Sequence, residues 1–182
     1  MIFISAGHNP NGIKTDPGAI GNGKREADLT VEFRDLVIVE LIKNNTKHVA
    51  DSDSEMLGQY LERIKTGSGS VVLEFHFDAA ANAKATGTTV LIGGDADKND
   101  KDFAKELAEA TAAILGIKNR GVISETESHR GRLGLMRESG TVALLELCFI
   151  SNASDLAAYD NGKFTLAKAI ADILIKYENK VA

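Results

Sequence analysis

The sequence has little of what several classes of protein require. One cysteine in 182 residues excludes a disulfide framework within the chain, so folding does not depend on an oxidising compartment. A net charge of -5 and the absence of a basic run disfavour a nucleic-acid partner. The first apolar run is too short to span a bilayer, and the N-terminus lacks the basic start and cleavage site of a secretory signal. We therefore expect a protein made in the cytoplasm, with no membrane segment.

Proline is also scarce, and both prolines lie in one stretch near the N-terminus. Pro10 and Pro17 fall between an apolar run at 2–6 and a helical pattern that starts at Glu26. Each ring fixes its own φ and removes a backbone donor, so the loop is stiff although it is irregular. A long stiff loop with His8 at one end and a carboxylate at the other is typical of a functional site.

What remains is an ordinary globular composition, with 43% hydrophobic and 26% charged residues, in a length that suits one domain. Apolar runs alternate with stretches of helical spacing, which predicts an α/β domain around a largely parallel or mixed sheet. The predicted strands are 2–6, 47–50, 71–77, 88–92 and 141–150. The predicted helices are 26–44, one that follows a capping box of Ser52 and Glu55, 103–116 and 166–177.

The region 119–135 has no regular pattern and is predicted to be a loop. Five basic side chains lie in it or just after it: Arg120, His129, Arg130, Arg132 and Arg137.

Two of the four histidines stand at or near the ends of predicted strands, where ligands gather in open α/β sheets. These are His8 and His76, whereas His48 and His129 lie among polar residues and are expected at the surface. Two imidazoles and one carboxylate form a known catalytic zinc set, and Glu26 could supply the carboxylate. The alternative for Glu26 is an ordinary acidic residue in the first turn of a helix. For either histidine alone, a hydrogen-bonded or surface role is the simpler interpretation.

Glu146 lies inside the most apolar run of the chain, which we place at the centre of the sheet. An ionised carboxylate buried without a partner costs several kcal/mol, so this residue needs a partner or a role. The candidates are a metal ion, a water bound to that ion, or an arginine of the preceding loop. A purely structural ion pair with Arg120 or Arg137 is the alternative.

Two other features resemble chemical motifs and are rejected. The segment from Gly18 to Lys24 has the spacing of a phosphate-binding loop, but Arg25 follows where a Ser or Thr must hold magnesium. Cys148 lies two residues after Glu146, on the same predicted strand face, yet no activating histidine is near it in sequence. A buried cysteine usually behaves as a small apolar side chain.

Four segments, in this order, resemble the motifs of the zinc-dependent N-acetylmuramoyl-L-alanine amidases of the Amidase_3 type. They are SAGHNPNG, DPGAIGNGKRE, LEFHFDAA and LLELCFISN. These amidases are cell-wall hydrolases of bacteria and of phage endolysins, and the resemblance runs from about residue 2 to the C-terminus. It implies a single catalytic domain over residues 1–182, without a separate wall-binding domain, built on a twisted mixed sheet with helices on both faces.

The resemblance also implies roles for individual residues. His8, Glu26 and His76 would hold one zinc ion per chain, and Glu146 would be the catalytic carboxylate. Arg120 with its following glycine, and the stretch 135–137, would border the groove for peptidoglycan. Arginine side chains there could meet carboxylates of the stem peptide through bidentate pairs.

Three positions depart from the family pattern. The loop between His8 and Asp16 is longer than the usual compact form, and Cys148 replaces a common glycine. Asp78 stands where the family often has asparagine, and it would add negative charge if it faced the metal. No extra inhibitory helix fits between the second histidine and the catalytic glutamate, so we expect a constitutively open enzyme.

The implied reaction is hydrolysis of the amide bond between N-acetylmuramic acid and the L-alanine of the stem peptide. Two alternatives stay open: a zinc peptidase that cuts within the stem peptide, and a non-catalytic peptidoglycan-binding module. An enzyme that starts in the cytoplasm would reach the wall through a holin-type pore or another delivery route.

Overall fold

The computed structural model of the protein describes residues 1–11, 15–128 and 131–181. His129 and Arg130, two of the basic residues noted above, lie outside these ranges. The elements in chain order are β1 (Ile2–Ala6), β2 (Ile20–Gly21), β3 (Lys24–Arg25), α1 (Glu26–Lys43), β4 (His48–Ala50), α2 (Leu57–Arg63), β5 (Val71–Asp78), β6 (Thr88–Ile92), α3 (Lys98–Leu115), β7 (Asn119–Ser124), a 3-10 helix (Gly134–Arg137), β8 (Thr141–Phe149) and α4 (Ala153–Val181). Within the described ranges, no helix combines the length and the apolar character needed to cross a membrane.

Six strands form one mixed sheet in the order β4-β1-β5-β8-β6-β7. The first four run parallel to one another, β6 runs antiparallel to β8, and β7 runs parallel to β6. The most apolar run of the sequence becomes β8, which is hydrogen-bonded along both edges and buried throughout. The predicted α/β fold and the central position of this strand are therefore confirmed.

The two faces of the sheet are covered unequally. The long helices α1, α3 and α4 pack on one face, where Phe75 and Phe77 of β5 join the main apolar core. Successive side chains of a strand point to opposite faces, so Glu74 and His76 lie on the face opposite to Phe75 and Phe77. On the second face, the described residues include the short α2, which packs through Tyr60, and the 3-10 helix. Polar residues of β5 thus face the thinly covered side, where a site can open.

A β-bulge in β8 changes the direction of its last side chains. Between His76 and Asp78 the partner strand advances from Glu146 to Phe149, which is one residue more than regular pairing needs. Cys148 therefore packs in the main core with Leu147, and the prediction that it shares a face with Glu146 is wrong. Burial raises the pKa of the Cys148 thiol well above its usual range, as expected of an inert apolar side chain.

Two local predictions also need correction. The segment 119–124, expected to be loop, is the strand β7, which lies at the edge of the sheet beside β6 and is exposed or half-buried along its length. An edge strand of this kind needs no continuous apolar run. The predicted capping box is half present, because the Ser52 amide donates to Glu55 at 3.1 Å. The helix nevertheless begins only at Leu57, because Met56 is its N-cap and donates its amide to Gln59 Oε1 at 2.9 Å.

Candidate metal centre

Three of the predicted site residues converge although they are far apart in sequence. His8 follows β1, Glu26 is the first residue of α1, and His76 lies near the end of β5. One ligand atom from each lies within 4.8 Å of the other two. His8 Nε2 is 3.1 Å from Glu26 Oε2, and His76 Nδ1 is 2.9 Å from Glu26 Oε1. Both histidines therefore point a ring nitrogen at the same carboxylate.

The Glu26 carboxylate is held from several directions. It is 2% exposed, and it accepts backbone hydrogen bonds from Ala19 at 2.9 Å and from Phe77 at 3.0 Å. Burial alone would raise its pKa, but the hydrogen bonds and charges of His76 and His8 lower the pKa far below its usual range. The interpretation of Glu26 as a simple helix-dipole residue does not account for this buried position between two imidazoles.

The N-terminal loop folds back on itself to orient His8. Asn9 and Asp16 form a two-way backbone bridge, with both N–H···O distances at 2.9 Å. The bridge brings the Asp16 carboxylate to 2.9 Å from His8 Nδ1, which leaves Nε2 facing Glu26. His8 itself adopts a φ of 69°, a strained value that recurs at functional sites.

Two glycines leave the space that the site residues occupy. A Cβ atom on Gly7 would lie 2.3 Å from the His76 ring, and one on Gly18 would lie 2.5 Å from the His8 ring. Gly18 also has a φ of 64°, which disfavours other residues. The backbone therefore approaches the imidazoles as closely as packing allows.

We predict that Gly7→Ala weakens metal binding by at least about tenfold, because the new methyl group must displace the His76 ring. Zinc titration against a competing chelator measures the change. Gly67→Ala is the matched control, since a Cβ atom there meets nothing within 4 Å. Equal affinity in both variants would contradict the tight packing of Gly7 against His76.

The ring of His76 has a second carboxylate partner that the sequence analysis missed. Glu74 Oε1 lies 3.0 Å from His76 Nε2, and Glu74 Oε2 accepts a hydrogen bond from Ser5 Oγ at 3.1 Å. The spacing could have indicated this contact. An acidic residue two positions before a histidine in the same strand lies on the same face of the sheet as that histidine.

The pKa values of both histidines are raised. Burial alone would lower the pKa of His76, but hydrogen bonds to Glu26 and Glu74, with the charges of Glu74 and Glu146, raise it to about 10. For His8, burial is likewise outweighed by Glu26 and Asp16, and the pKa is raised. The carboxylates around the two histidines thus favour the protonated, positively charged imidazoles.

Glu146 lies beside the cluster, on the same face of the sheet. It is 2% exposed, and its position on β8 is in register with His76 on β5 and Thr89 on β6. A cavity of about 280 Å³ adjoins His8 and His76, and a second of about 500 Å³ adjoins Glu146. His76 thus lines the first cavity, and Glu146, its neighbour across the two strands, lines the second.

The structure distributes the remaining predicted residues between two places. Asp78 and Arg120 line the cavity of Glu146. The Arg120 guanidinium lies 5.1 Å from the centre of the Phe149 ring, and Asp78 accepts a bond from the next backbone amide. Asp78 therefore lies outside the three-residue cluster. Arg137 precedes β8 and lines a different cavity with Asp95 and other acidic residues, so it is not brought together with Arg120.

The three converging side chains fit a divalent transition metal. Nitrogen from two imidazoles and oxygen from one carboxylate are preferred ligands of zinc, and a set of three leaves a fourth position open. Each histidine also has a carboxylate on its other nitrogen, as ligating histidines usually do. Elsewhere among the described residues, no cluster of three or more His, Cys, Asp or Glu side chains gathers this closely.

Comparisons with known proteins point in the same direction. The family model described as N-acetylmuramoyl-L-alanine amidase, Amidase_3, matches residues 2–176. N-acetylmuramoyl-L-alanine amidase LytC of Bacillus subtilis (strain 168) is 26% identical over 183 residues, which cover 97% of this chain and 35% of LytC. The chain therefore spans only about a third of the length of LytC.

Solved structures show the same architecture. A candidate N-acetylmuramoyl-L-alanine amidase from Neisseria meningitidis is 32% identical, with a TM-score of 0.78 over 100% of this chain and 96% of that chain. The catalytic domain of CwlV, an N-acetylmuramoyl-L-alanine amidase from Bacillus (Paenibacillus) polymyxa var. colistinus, has a TM-score of 0.79 at 22% identity. The match covers 100% of this chain and 98% of that domain.

Proposed function

Because the chain belongs to the N-acetylmuramoyl-L-alanine amidase family Amidase_3, we propose that it is a zinc-dependent peptidoglycan hydrolase. Its substrate would be the amide bond between N-acetylmuramic acid and the L-alanine of the stem peptide. The observation that supports this most strongly is the convergence of His8, Glu26 and His76 beside the buried Glu146. The enzyme would bind one zinc ion per chain and would act on the cell wall.

The residues that would hold zinc are His8 through Nε2, His76 through Nδ1, and Glu26 through its carboxylate. These are the atoms that face one another. A zinc ion there would supply a Lewis acid for the scissile carbonyl and would bring the pKa of a water to about 7. The chain's own task is to hold the three ligands in fixed orientations, which Gly7, Gly18 and the neighbouring carboxylates do.

Glu146 would move the proton. A carboxylate oxygen of Glu146 takes a proton from the attacking water and then gives it to the amide nitrogen of the leaving L-alanine. Its place supports this role, since it stands in register with the ligand His76 and borders the larger cavity. The central strand is rigid and buried, so the carboxylate is held in one position for both transfers.

The larger cavity would receive the peptide part of the substrate. Lys118 and Arg120 supply the basic groups of its lining, which also contains the acidic residues Asp78, Glu127 and Glu146. Arg120 is restrained against Phe149, so its guanidinium is pre-oriented for a carboxylate of the stem peptide. Arg137, in its separate cavity, would have no part in this recognition.

The products formed from purified sacculi test the proposal. An amidase leaves a free amino group on L-alanine and an intact lactyl carboxylate on the sugar, which mass spectrometry and end-group labelling detect. Free amines from bonds within the stem peptide would identify a peptidase instead. Binding to sacculi without any new end groups, with zinc present, would identify a non-catalytic wall-binding module.

Zinc binding should release about one to two protons per ion at pH 7, because both histidines must lose their protons to ligate. The pKa of His76, raised to about 10, means that its ring carries both protons at neutral pH in the metal-free protein, and the raised pKa of His8 acts in the same direction. Affinity should therefore strengthen as the pH rises from 6 towards 9. Calorimetry in two buffers of different ionisation enthalpy counts the protons; identical heats in both buffers would contradict protonated histidines in the metal-free state.

A further inference from the structure

We infer that Glu74 is a positioning residue for the metal site, which fixes His76 with its proton on Nε2 and its lone pair on Nδ1. This inference rests on the proposed function, because it concerns how the chain presents a zinc ligand. It adds a residue to the three ligands and the catalytic glutamate, and it identifies what that residue acts on.

The geometry assigns opposite tasks to the two ring nitrogens of His76. Nδ1 faces Glu26, the carboxylate that His8 also faces, at 2.9 Å. Nε2 faces Glu74 Oε1 at 3.0 Å. A neutral imidazole has one donor nitrogen and one acceptor nitrogen. Both facing groups are carboxylates, so each nitrogen can hold a proton in the metal-free ring. When Nδ1 ligates a metal ion together with Glu26, the remaining proton stays on Nε2, where Glu74 accepts its hydrogen bond.

Glu74 is itself fixed, so it can restrain the ring. It lies within β5, two residues before His76 on the same strand face, and it is 3% exposed. Ser5 Oγ, from the neighbouring strand β1, donates to its second oxygen at 3.1 Å. Both oxygens of the Glu74 carboxylate therefore have a partner: Oε1 contacts the His76 ring, and Oε2 accepts a hydrogen bond from Ser5.

The surroundings of Glu74 argue against a purely structural ion pair. Across residues 1–11, 15–128 and 131–181, no lysine or arginine forms an ion pair with Glu74, and its charged partner is His76. The nearby arginine of this region, Arg34, is directed instead at Asp35, Asp51 and Asp53. The charge of Glu74 thus acts on the imidazole, as Asp16 acts on His8 from the other side of the cluster.

Partners of this kind typically change metal affinity by about 10–100-fold when they are removed. We therefore expect Glu74→Ala to weaken zinc binding by about that factor. Glu74→Gln keeps a carbonyl oxygen that can accept from Nε2, so it should retain most of the affinity. Ser5→Ala should have a smaller effect, because it frees only one oxygen of Glu74.

The experiment measures zinc dissociation constants by chelator competition for wild type, the two Glu74 variants and the exposed control Glu109→Ala. Nitrogen-15 NMR of the zinc-loaded proteins then reads the tautomer of His76 directly. We expect the wild-type His76 to carry its proton on Nε2. We expect Glu74→Ala to lose zinc affinity, whereas Glu74→Gln and Glu109→Ala should have nearly the affinity of the wild type. Thermal unfolding of the metal-free variants shows that each is folded.

Two results would overturn the inference. One is an unchanged zinc affinity in a folded Glu74→Ala variant, and the other is a wild-type His76 that carries its proton on Nδ1. If zinc binds and the wild type still cleaves sacculi, either result removes only the role of Glu74. A wild-type protein that binds no zinc would instead remove the proposed function together with this inference.

Discussion

Replacing Glu146 by glutamine should reduce kcat by about 10²–10⁴-fold while one zinc ion stays bound, because the substitution removes a proton acceptor and leaves the ligands in place. The amide side chain has nearly the same shape, so β8 should pack as before. KM should change little, since the proposed role of Glu146 is to transfer a proton and not to bind substrate. The measurement is steady-state release of L-alanine amino ends from sacculi, with zinc content determined on the same samples.

The matched control is Glu109→Gln, an exposed glutamate on α3 that lines neither of the two cavities. It should retain wild-type turnover. If Glu146→Gln also retained full activity with zinc bound, Glu146 would not be the proton carrier. If the variant lost zinc as well as activity, Glu146 would be acting on the metal site through His76, and its assigned role would be wrong.

Replacing His76 by alanine should lower both zinc content and amidase activity to background. The substitution removes one of the three proposed ligands, and it also leaves Glu26 and Glu74 buried without the imidazole between them. Removing one partner from a buried ion pair costs about 3–5 kcal/mol in stability. Unfolding must therefore be measured alongside activity.

A second variant separates loss of ligation from loss of folding. His8 lies on the N-terminal loop and is partly exposed, so His8→Ala should remain folded and still lose zinc. His48→Ala is the control, because His48 lies on β4 and bonds the Thr46 carbonyl. Activity in a folded His8→Ala protein equal to that of the His48→Ala control would contradict the metal assignment.

Much of this site can be predicted from the sequence, because the decisive signals are local. A short apolar run places His8 after a strand, an apolar strand presents His76, and helical spacing starts at Glu26. A charged residue inside the most apolar run marks Glu146 as unusual. Each of these signals depends only on periodicity or burial, which neighbouring residues reveal.

Other features depend on partners that are distant in sequence, and periodicity does not reveal them. The bulge that turns Cys148 into the core arises from the pairing of β8 with β5. The strand β7 exists because an exposed edge of β6 is available, not because its own residues are apolar. Glu74 shows the same limit, since its importance comes from Ser5 and from the orientation of His76.

Anomalous diffraction from zinc-loaded crystals at the zinc absorption edge would show whether His8, Glu26 and His76 hold one metal ion. We expect one strong peak per chain, bounded by His8 Nε2, the Glu26 carboxylate and His76 Nδ1, on the side of the sheet that carries Glu146. A peak at any other cluster, or a fully active protein whose crystals show no zinc peak, would contradict it.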